Sequence, residues 1–322
     1  MPKKLVPPSR PAVDQNRQRN ILELDRFSKE NLDKWQELSQ KLDSLEWQLY
    51  FGLEPARRAK RAELLQALQL RGGIAVDLRN WVRLVTYEFS NNPLSSAGSL
   101  RDYGGRFNAG IDLDPNTLNP WPALYIAQDH ETAFREKFQL ASNSDVAGLS
   151  PQELALEQKI SYSAVFLNGR LGHVFDVRTP DNLAVLAKLL GTIRMPEEAK
   201  RLRRSLHIST RSLYMIRTAK QLHDNLLERN WRVLPVQFGL PAHSHVIAEL
   251  IRAAGYEGIL YRSTKGNGDC LAIFPDTIAN GSFVELRDAA PQAVQYRRLD
   301  SETSDELSGW NSLPRNYLNR LT

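Results

Sequence analysis

Apolar residues recur at three- and four-residue steps from Ile21 through Leu24, Leu32, Trp35, Leu38, Leu42 and Leu45, which is the spacing of one helix face. A second helix is predicted over EPARRAKRAELLQALQL, residues 54–70, with proline at its start and the glycines of RGG at its end. After Gly73 the pattern changes to short runs rich in β-branched and aromatic residues. NWVRLVTYEF, ALYIA, YSAVFL, HVFDV, GILYRS and CLAIF all predict strands. Asn168-Gly169, flanked by AVFL and RLGHVFDV, predicts a type I′ hairpin, because both central positions of that turn take positive φ. From Pro180 to about Arg232 the periodicity is helical again, and HSHVIAELIRAA, residues 243–254, predicts one more helix closed by Gly255. Helices and strands do not alternate regularly, so the expected class is α+β and not a doubly wound parallel sheet.

The same pattern divides the chain. Residues 1–19, rich in Pro, Lys and Arg, read as a disordered basic tail, and residues 20–75 as an all-helical N-terminal region. Residues 76–290 hold the strands, and residues 291–322 form a polar, weakly patterned C-terminal tail. No internal repeat is present.

Composition narrows the class. The chain has 322 residues, 42% hydrophobic and 25% charged, as expected of a soluble globular protein. At that length roughly 75% of the unfolded surface can be buried without a disulfide or a structural metal. The single cysteine, Cys270, excludes a disulfide framework and fits a reducing, cytoplasmic setting. No apolar run reaches membrane-spanning length and no hydrophobic segment follows the basic start, so neither membrane insertion nor secretion is expected. The net charge of +5 comes from 42 basic and 37 acidic residues spread along the chain, so direct nucleic-acid binding is not expected. The cluster Arg57, Arg58, Lys60 and Arg61 reads as a solvated helix face.

Several chemistries lack their residues: there is no Walker phosphate loop, no G-x-G-x-x-G, no H-E-x-x-H and no G-x-S-x-G. KGNG at 265–268 is a weak phosphate-turn candidate, and His243 and His245, two apart near a helix start, do not share a face as metal ligands would. No metal is expected. What remains is a set of polar residues at strand ends: Arg83, Arg106 and Asn108 in YGGRFNAGI, Tyr125, Glu136 and Ser263. In DHETAFREKFQL the packed face is Ala133, Phe134, Phe138 and Leu140, and helical spacing sets Glu136 at its edge, where a cleft-lining acid would stand.

This constellation resembles the RES domain family, named for its arginine, glutamate and serine. The carrying residues are Arg83 in its strand, GGRFN, LYIA and TAFRE, followed by GLPAHSHVIAELIRAAGYEGILYRSTKGNGDCLAIF. The likeness covers about residues 76–285. Leu84 departs from it, standing where the family often has an aromatic residue. The resemblance implies an ADP-ribosyltransferase-like split β-sheet core with helices, here preceded by the helical region. It also implies an enzyme that consumes NAD⁺ as substrate without a further cofactor, often a toxin neutralised by an Xre-type antitoxin.

On that footing the catalytic set is Glu136, Arg106 and Ser263. Glu136 would stabilise an oxocarbenium-like ribosyl centre, since nicotinamide leaves as a neutral ring and needs no general acid. Arg106 and Arg83 would hold the phosphates, Gly104 and Gly105 would let the backbone come close, and Asn108 would fix the loop. Tyr125 would meet the nicotinamide half, and Ser263 would orient the glutamate or the ribose. Water or inorganic phosphate could complete the cleavage: water needs the smaller set of residues, and Arg262 and Lys265 are the nearby cations for phosphate. Two rival classes share the pattern, a mono-ADP-ribosyltransferase acting on a protein and a non-catalytic binding module.

Overall fold

The computed structural model describes residues 29–140, 161–209 and 215–312. The tail expected over residues 1–19, the first residues of the helical region and residues 313–322 lie outside them. The described chain opens with helices α1 (Lys29–Tyr50) and α2 (Glu54–Arg71). Proline stands in the first turn of α2, where a missing N–H breaks no helical bond, and Gly72 at φ 70° ends it. The apolar stripe of α1 is divided. Leu45 is fully buried in a small cluster with Ala199, whereas Leu32, Trp35, Leu38 and Leu42 face solvent.

Strand β1 (Ile74–Thr86) leads to a miniature hairpin, β2 (Gly104–Gly105) and β3 (Asn108–Ala109), then to β4 (Leu124–Ala127) and helix α3 (His130–Phe138). A long strand, β5 (Tyr162–Asp176), precedes the helices α4 (Ala184–Leu190), α5 (Glu197–Ser205), α6 (Ala219–Leu226), α7 (Val233–Phe238) and α8 (His243–Ala253). Strands β6 (Gly258–Arg262), β7 (Asp269–Ile273), β8 (Phe283–Leu286) and β9 (Arg298–Leu299) and helix α9 (Ser304–Ser308) complete it.

Seven strands form one sheet in the order β1-β4-β7-β6-β5-β8-β9, and β1 pairs with β5 as well as with β4, so the sheet bends back on itself. Among the described residues only the β5–β6 pairing is parallel. This mixture of helices with a largely antiparallel sheet agrees with the α+β expectation. Both faces are covered: Ile259, Tyr261, Cys270 and Ala272 point into a core with α2, α3, α4, α6 and α8, and Leu260, Leu271 and Ile273 point into a second core. Burial on both sides explains why GILYRS and CLAIF read as near-continuous apolar runs. Leu299 and Leu307, from the polar C-terminal stretch, are fully buried in that second core.

Two expectations are corrected. Asn168-Gly169 is no hairpin turn: both lie inside β5, so YSAVFL and HVFDV are one strand. The glycine serves close packing, since a Cβ on Gly169 would collide with the Phe283 carbonyl of β8, and Asn168 Oδ1 accepts from the Asn80 N–H at the irregularity of β1. The basic cluster on α2 is not simply solvated. Arg61 makes a bidentate pair with Glu249 of α8, at 2.7 Å for both bonds, and Tyr256 Oη donates to the Leu68 carbonyl at 2.6 Å, which together dock α2 on the strand-bearing part. Among the described residues no helix is long and apolar enough to cross a membrane.

Candidate active site

Glycines shape the loop that presents Arg106. Gly104 takes φ +88°, and a Cβ on Gly105 would stand 2.5 Å from the Tyr125 hydroxyl, so the chain can turn tightly over that phenol only here. Asn108, fully buried, ties the turn together: its Oδ1 accepts from the Gly105 N–H and from Tyr125 Oη, both at 2.9 Å, and its Nδ2 donates to the Ser99 and Trp121 carbonyls. Tyr125 Oη in turn accepts from the Phe107 N–H at 2.9 Å. The Tyr125 hydroxyl is thus engaged in supporting the loop, and burial pushes the phenol well above its usual range. His245 of α8 braces the turn from below. Its Nδ1 accepts from the Ala242 N–H, so its Nε2 carries the proton and donates to the Gly105 carbonyl at 2.8 Å. Burial lowers the pKa of this imidazole to about 4.

Held in this way, Arg106 is buried at 7% exposure, and its hydrogen-bond partners among the described residues are uncharged. Its Nη1 donates to the carbonyls of Glu228 at 2.6 Å and Leu226 at 3.4 Å, and its Nη2 to Thr264 Oγ1 at 3.2 Å. The α6 end therefore aims the guanidinium and leaves part of its donor set for a ligand.

Helix α3 places the carboxylate. Asp129 caps it by accepting from the Thr132 N–H at 2.8 Å, Gln139 ends it at φ 58°, and Ala133, Phe134 and Phe138 pack inward. Glu136 stands half-buried at the rim, as the spacing predicted. Ser263, just past β6, donates from Oγ to Glu136 Oε1 at 2.6 Å, and the Thr264 N–H reaches the same oxygen at 3.2 Å. The N–H groups of Lys265 and Gly266 both donate to Ser263 Oγ, so its lone pairs are occupied and its proton is committed to Glu136. Because those amides are spent there, and the Gly268 N–H on Thr132 Oγ1, the KGNG turn is no phosphate cradle: it is the seat of Ser263.

Glu136, Arg106, Arg83, Tyr125 and Cys270 line one cleft of about 210 Å³. Ser263 and Asn108 support it from behind. Arg83 Nη2 donates to the Ser95 carbonyl at 2.7 Å, while its buried Nη1 has no hydrogen-bond partner among the described residues. Burial lowers the Arg83 pKa to about 10, which leaves it charged at neutral pH. Burial raises the Cys270 thiol far above its usual range, with Glu136 adding to the effect, so Cys270 is an inert part of the floor. Arg262 is turned away, paired with Asp269 at 3.0 Å.

Sequence reasoning missed Lys137, Trp231 and Arg232, which also line the cleft, and Thr264, which joins Arg106 to Glu136. Arg232 lies over the Trp231 ring at 4.4 Å. No motif marked these two, because they come from the helical stretch beginning at Pro180 that folds over the cleft. Among the described residues no cluster of three His, Cys, Asp or Glu converges as a metal site would. The arrangement combines one oriented carboxylate with several cations, which suits an anionic ligand carrying a centre that becomes positive during reaction.

A family model, the RES domain, matches residues 80–298. Among solved structures, the chain is similar to a chain of the M. tuberculosis MbcT–MbcA toxin–antitoxin complex, at 16% identity and a TM-score of 0.39, over 76% of this chain and 96% of that one. No curated protein matches it.

Proposed function

The chain belongs to the RES domain family, and on that footing we propose that it degrades NAD⁺ by cleaving the bond between nicotinamide and ribose. The observation that carries this reading is the double hydrogen bond of Ser263 Oγ and the Thr264 N–H to Glu136 Oε1. It fixes one carboxylate oxygen and leaves Oε2 without a hydrogen bond among the described residues, available to a ribosyl centre. As the bond to the pyridinium ring breaks, its electron pair goes to the ring nitrogen and nicotinamide leaves neutral. The ribose carbon becomes oxocarbenium-like, and Glu136 stabilises it. Arg106 and the free Nη1 of Arg83 supply the charge for the diphosphate.

The fold we assign is ADP-ribosyltransferase-like, with β1 and β5 forming its bent junction. Water completes the simplest reaction, giving ADP-ribose, nicotinamide and a proton. A second acceptor, inorganic phosphate, is favoured by Arg232 and Lys137, two cleft cations beyond the arginine pair. In the cell the enzyme acts as a toxin, silenced by an Xre-type antitoxin that covers the cleft between Arg106 and Ser263.

Incubating the purified protein with NAD⁺ tests the activity. Loss of NAD⁺ with stoichiometric release of nicotinamide is expected, and intact NAD⁺ after long incubation would overturn it. Expression without a partner should deplete cellular NAD⁺ and halt growth, and unchanged growth and NAD⁺ would remove the toxin role.

A further inference from the structure

The turn that seats Ser263 is held against α3 at a second point. The Ser263 N–H donates to the Gly268 carbonyl at 3.0 Å, which closes residues 263–268 into one tight loop between β6 and β7. At one end of this loop are the bonds to Glu136, and at the other is Thr132, one helical turn earlier on the same face of α3. Thr132 is 1% exposed. Its Oγ1 accepts from the Gly268 N–H at 3.1 Å and donates to Asp129 Oδ2 at 2.8 Å, while Asp129 Oδ1 accepts from the Thr132 N–H. The hydroxyl proton is committed to Asp129, so a lone pair faces the loop. The contact is also close: a Cβ on Gly268 would stand 2.6 Å from Thr132 Oγ1.

We propose that Thr132 is a positioning residue for the reaction, whose hydroxyl sets the distance of the 263–268 loop from α3 and thereby the bond from Ser263 to Glu136. Without that hydroxyl the Gly268 N–H is buried and unpaired, and its end of the loop lifts to reach water. Lifting draws Ser263 Oγ away from Glu136 Oε1, whereas the Arg106 turn is held separately by Asn108, Tyr125 and His245. The rate then suffers more than binding does. The inference rests on Glu136 being the reacting carboxylate of the proposed function.

The test compares the full chain with Thr132→Val, which keeps the side-chain shape, Thr132→Ser, which keeps the hydroxyl, and Gly268→Ala, which lifts the loop with Thr132 intact. Thr132→Val should lower kcat for nicotinamide release about tenfold, with KM for NAD⁺ within about twofold of wild type. It should bind ADP-ribose stoichiometrically, so the loss is not one of folded protein. Thr132→Ser should recover the rate to within about twofold, and Gly268→Ala should reproduce the defect. A crystal structure of Thr132→Val should place Ser263 Oγ beyond roughly 3.5 Å from Glu136 Oε1. Full kcat in Thr132→Val, a raised KM at unchanged kcat, or a Thr132→Ser protein as slow as Thr132→Val overturns the role. If Thr132→Val does not fold, Gly268→Ala decides, and a wild-type rate there overturns the role equally. A wild type that leaves NAD⁺ intact fails the proposed function instead. The Ser263–Glu136 distance then decides the positioning, and an unchanged 2.6 Å in the variant overturns it.

Discussion

Ser263 Oγ donates a 2.6 Å hydrogen bond to Glu136 Oε1, joining a turn after β6 to the rim of α3. Since two backbone amides occupy the serine lone pairs, the bond has one direction and Glu136 one orientation. Glu136→Gln should therefore retain the fold and lower nicotinamide release ~100-fold or more, because only the stabilising charge is removed. Ser263→Ala should lower it less, about tenfold, as the Thr264 N–H still holds Oε1. Steady-state rates with thermal melting of both variants check this, and a Glu136→Gln protein of wild-type activity would sink the assignment.

Arg106 differs from an exposed phosphate-binding arginine in being aimed by the carbonyls of Leu226 and Glu228 and by Thr264 Oγ1. A lysine cannot make three such bonds and offer a fork as well. Arg106→Lys should thus raise KM for NAD⁺ about tenfold or more, with a smaller change in kcat. An equal fall in kcat at unchanged KM would place Arg106 at the reacting centre instead of on the phosphates.

Tyr125→Phe isolates the loop from the chemistry. The lost hydroxyl accepts from the Phe107 N–H and donates to Asn108 Oδ1, so the variant leaves a backbone donor unpaired beneath Arg106. A loss of about 1–3 kcal/mol in stability is expected by urea denaturation. Activity lost without any loss of stability would mean that the phenol acts on the substrate.

Glu136, Ser263 and the GGRFN turn were legible because each lies in a local pattern: an amphipathic rim, a strand end, a pair of glycines. Asn168-Gly169 misled because a turn dipeptide cannot reveal that β8 passes close beside it, and pairing with β1 and β8 overrides the local preference. Trp231, Arg232 and Thr264 carry no local signal of a cleft. They reach it because the helices after Pro180 fold back so that the α6 end meets Arg106, more than a hundred residues earlier in sequence. His245 shares no helix face with His243, as a pair of metal ligands would. Its partner, the Gly105 carbonyl, shows only in three dimensions.

That histidine gives a pH dependence with a definite sign. Its folded pKa is lowered to about 4 by burial, from 6.5, so between these values the unfolded chain binds more protons and stability rises with pH. Stability should accordingly fall as pH drops from about 6.5 towards 4, by on the order of 3 kcal/mol from this residue. His245→Gln keeps a donor for the Gly105 carbonyl but cannot titrate. Urea denaturation at pH 7.5 and pH 5 should show a larger loss for the wild type than for the variant, and equal losses would deny the imidazole this role.

The acceptor follows from how the cleft charges are used. NAD⁺ carries two phosphates, which Arg106 and Arg83 can meet, and Arg262 is taken by Asp269. Arg232 and Lys137 also line the cleft, with Glu136 the one carboxylate among its lining residues. A hydrolase gains little from those two cations, whereas a phosphate dianion held next to Glu136 and the diphosphate needs them to offset repulsion. Phosphate should therefore accelerate NAD⁺ loss, with ADP-ribose 1″-phosphate appearing beside nicotinamide, and Arg232→Ala should weaken the phosphate dependence more than it raises KM for NAD⁺. Product analysis with and without phosphate decides the matter: ADP-ribose alone, formed at the same rate in both conditions, assigns water as the acceptor.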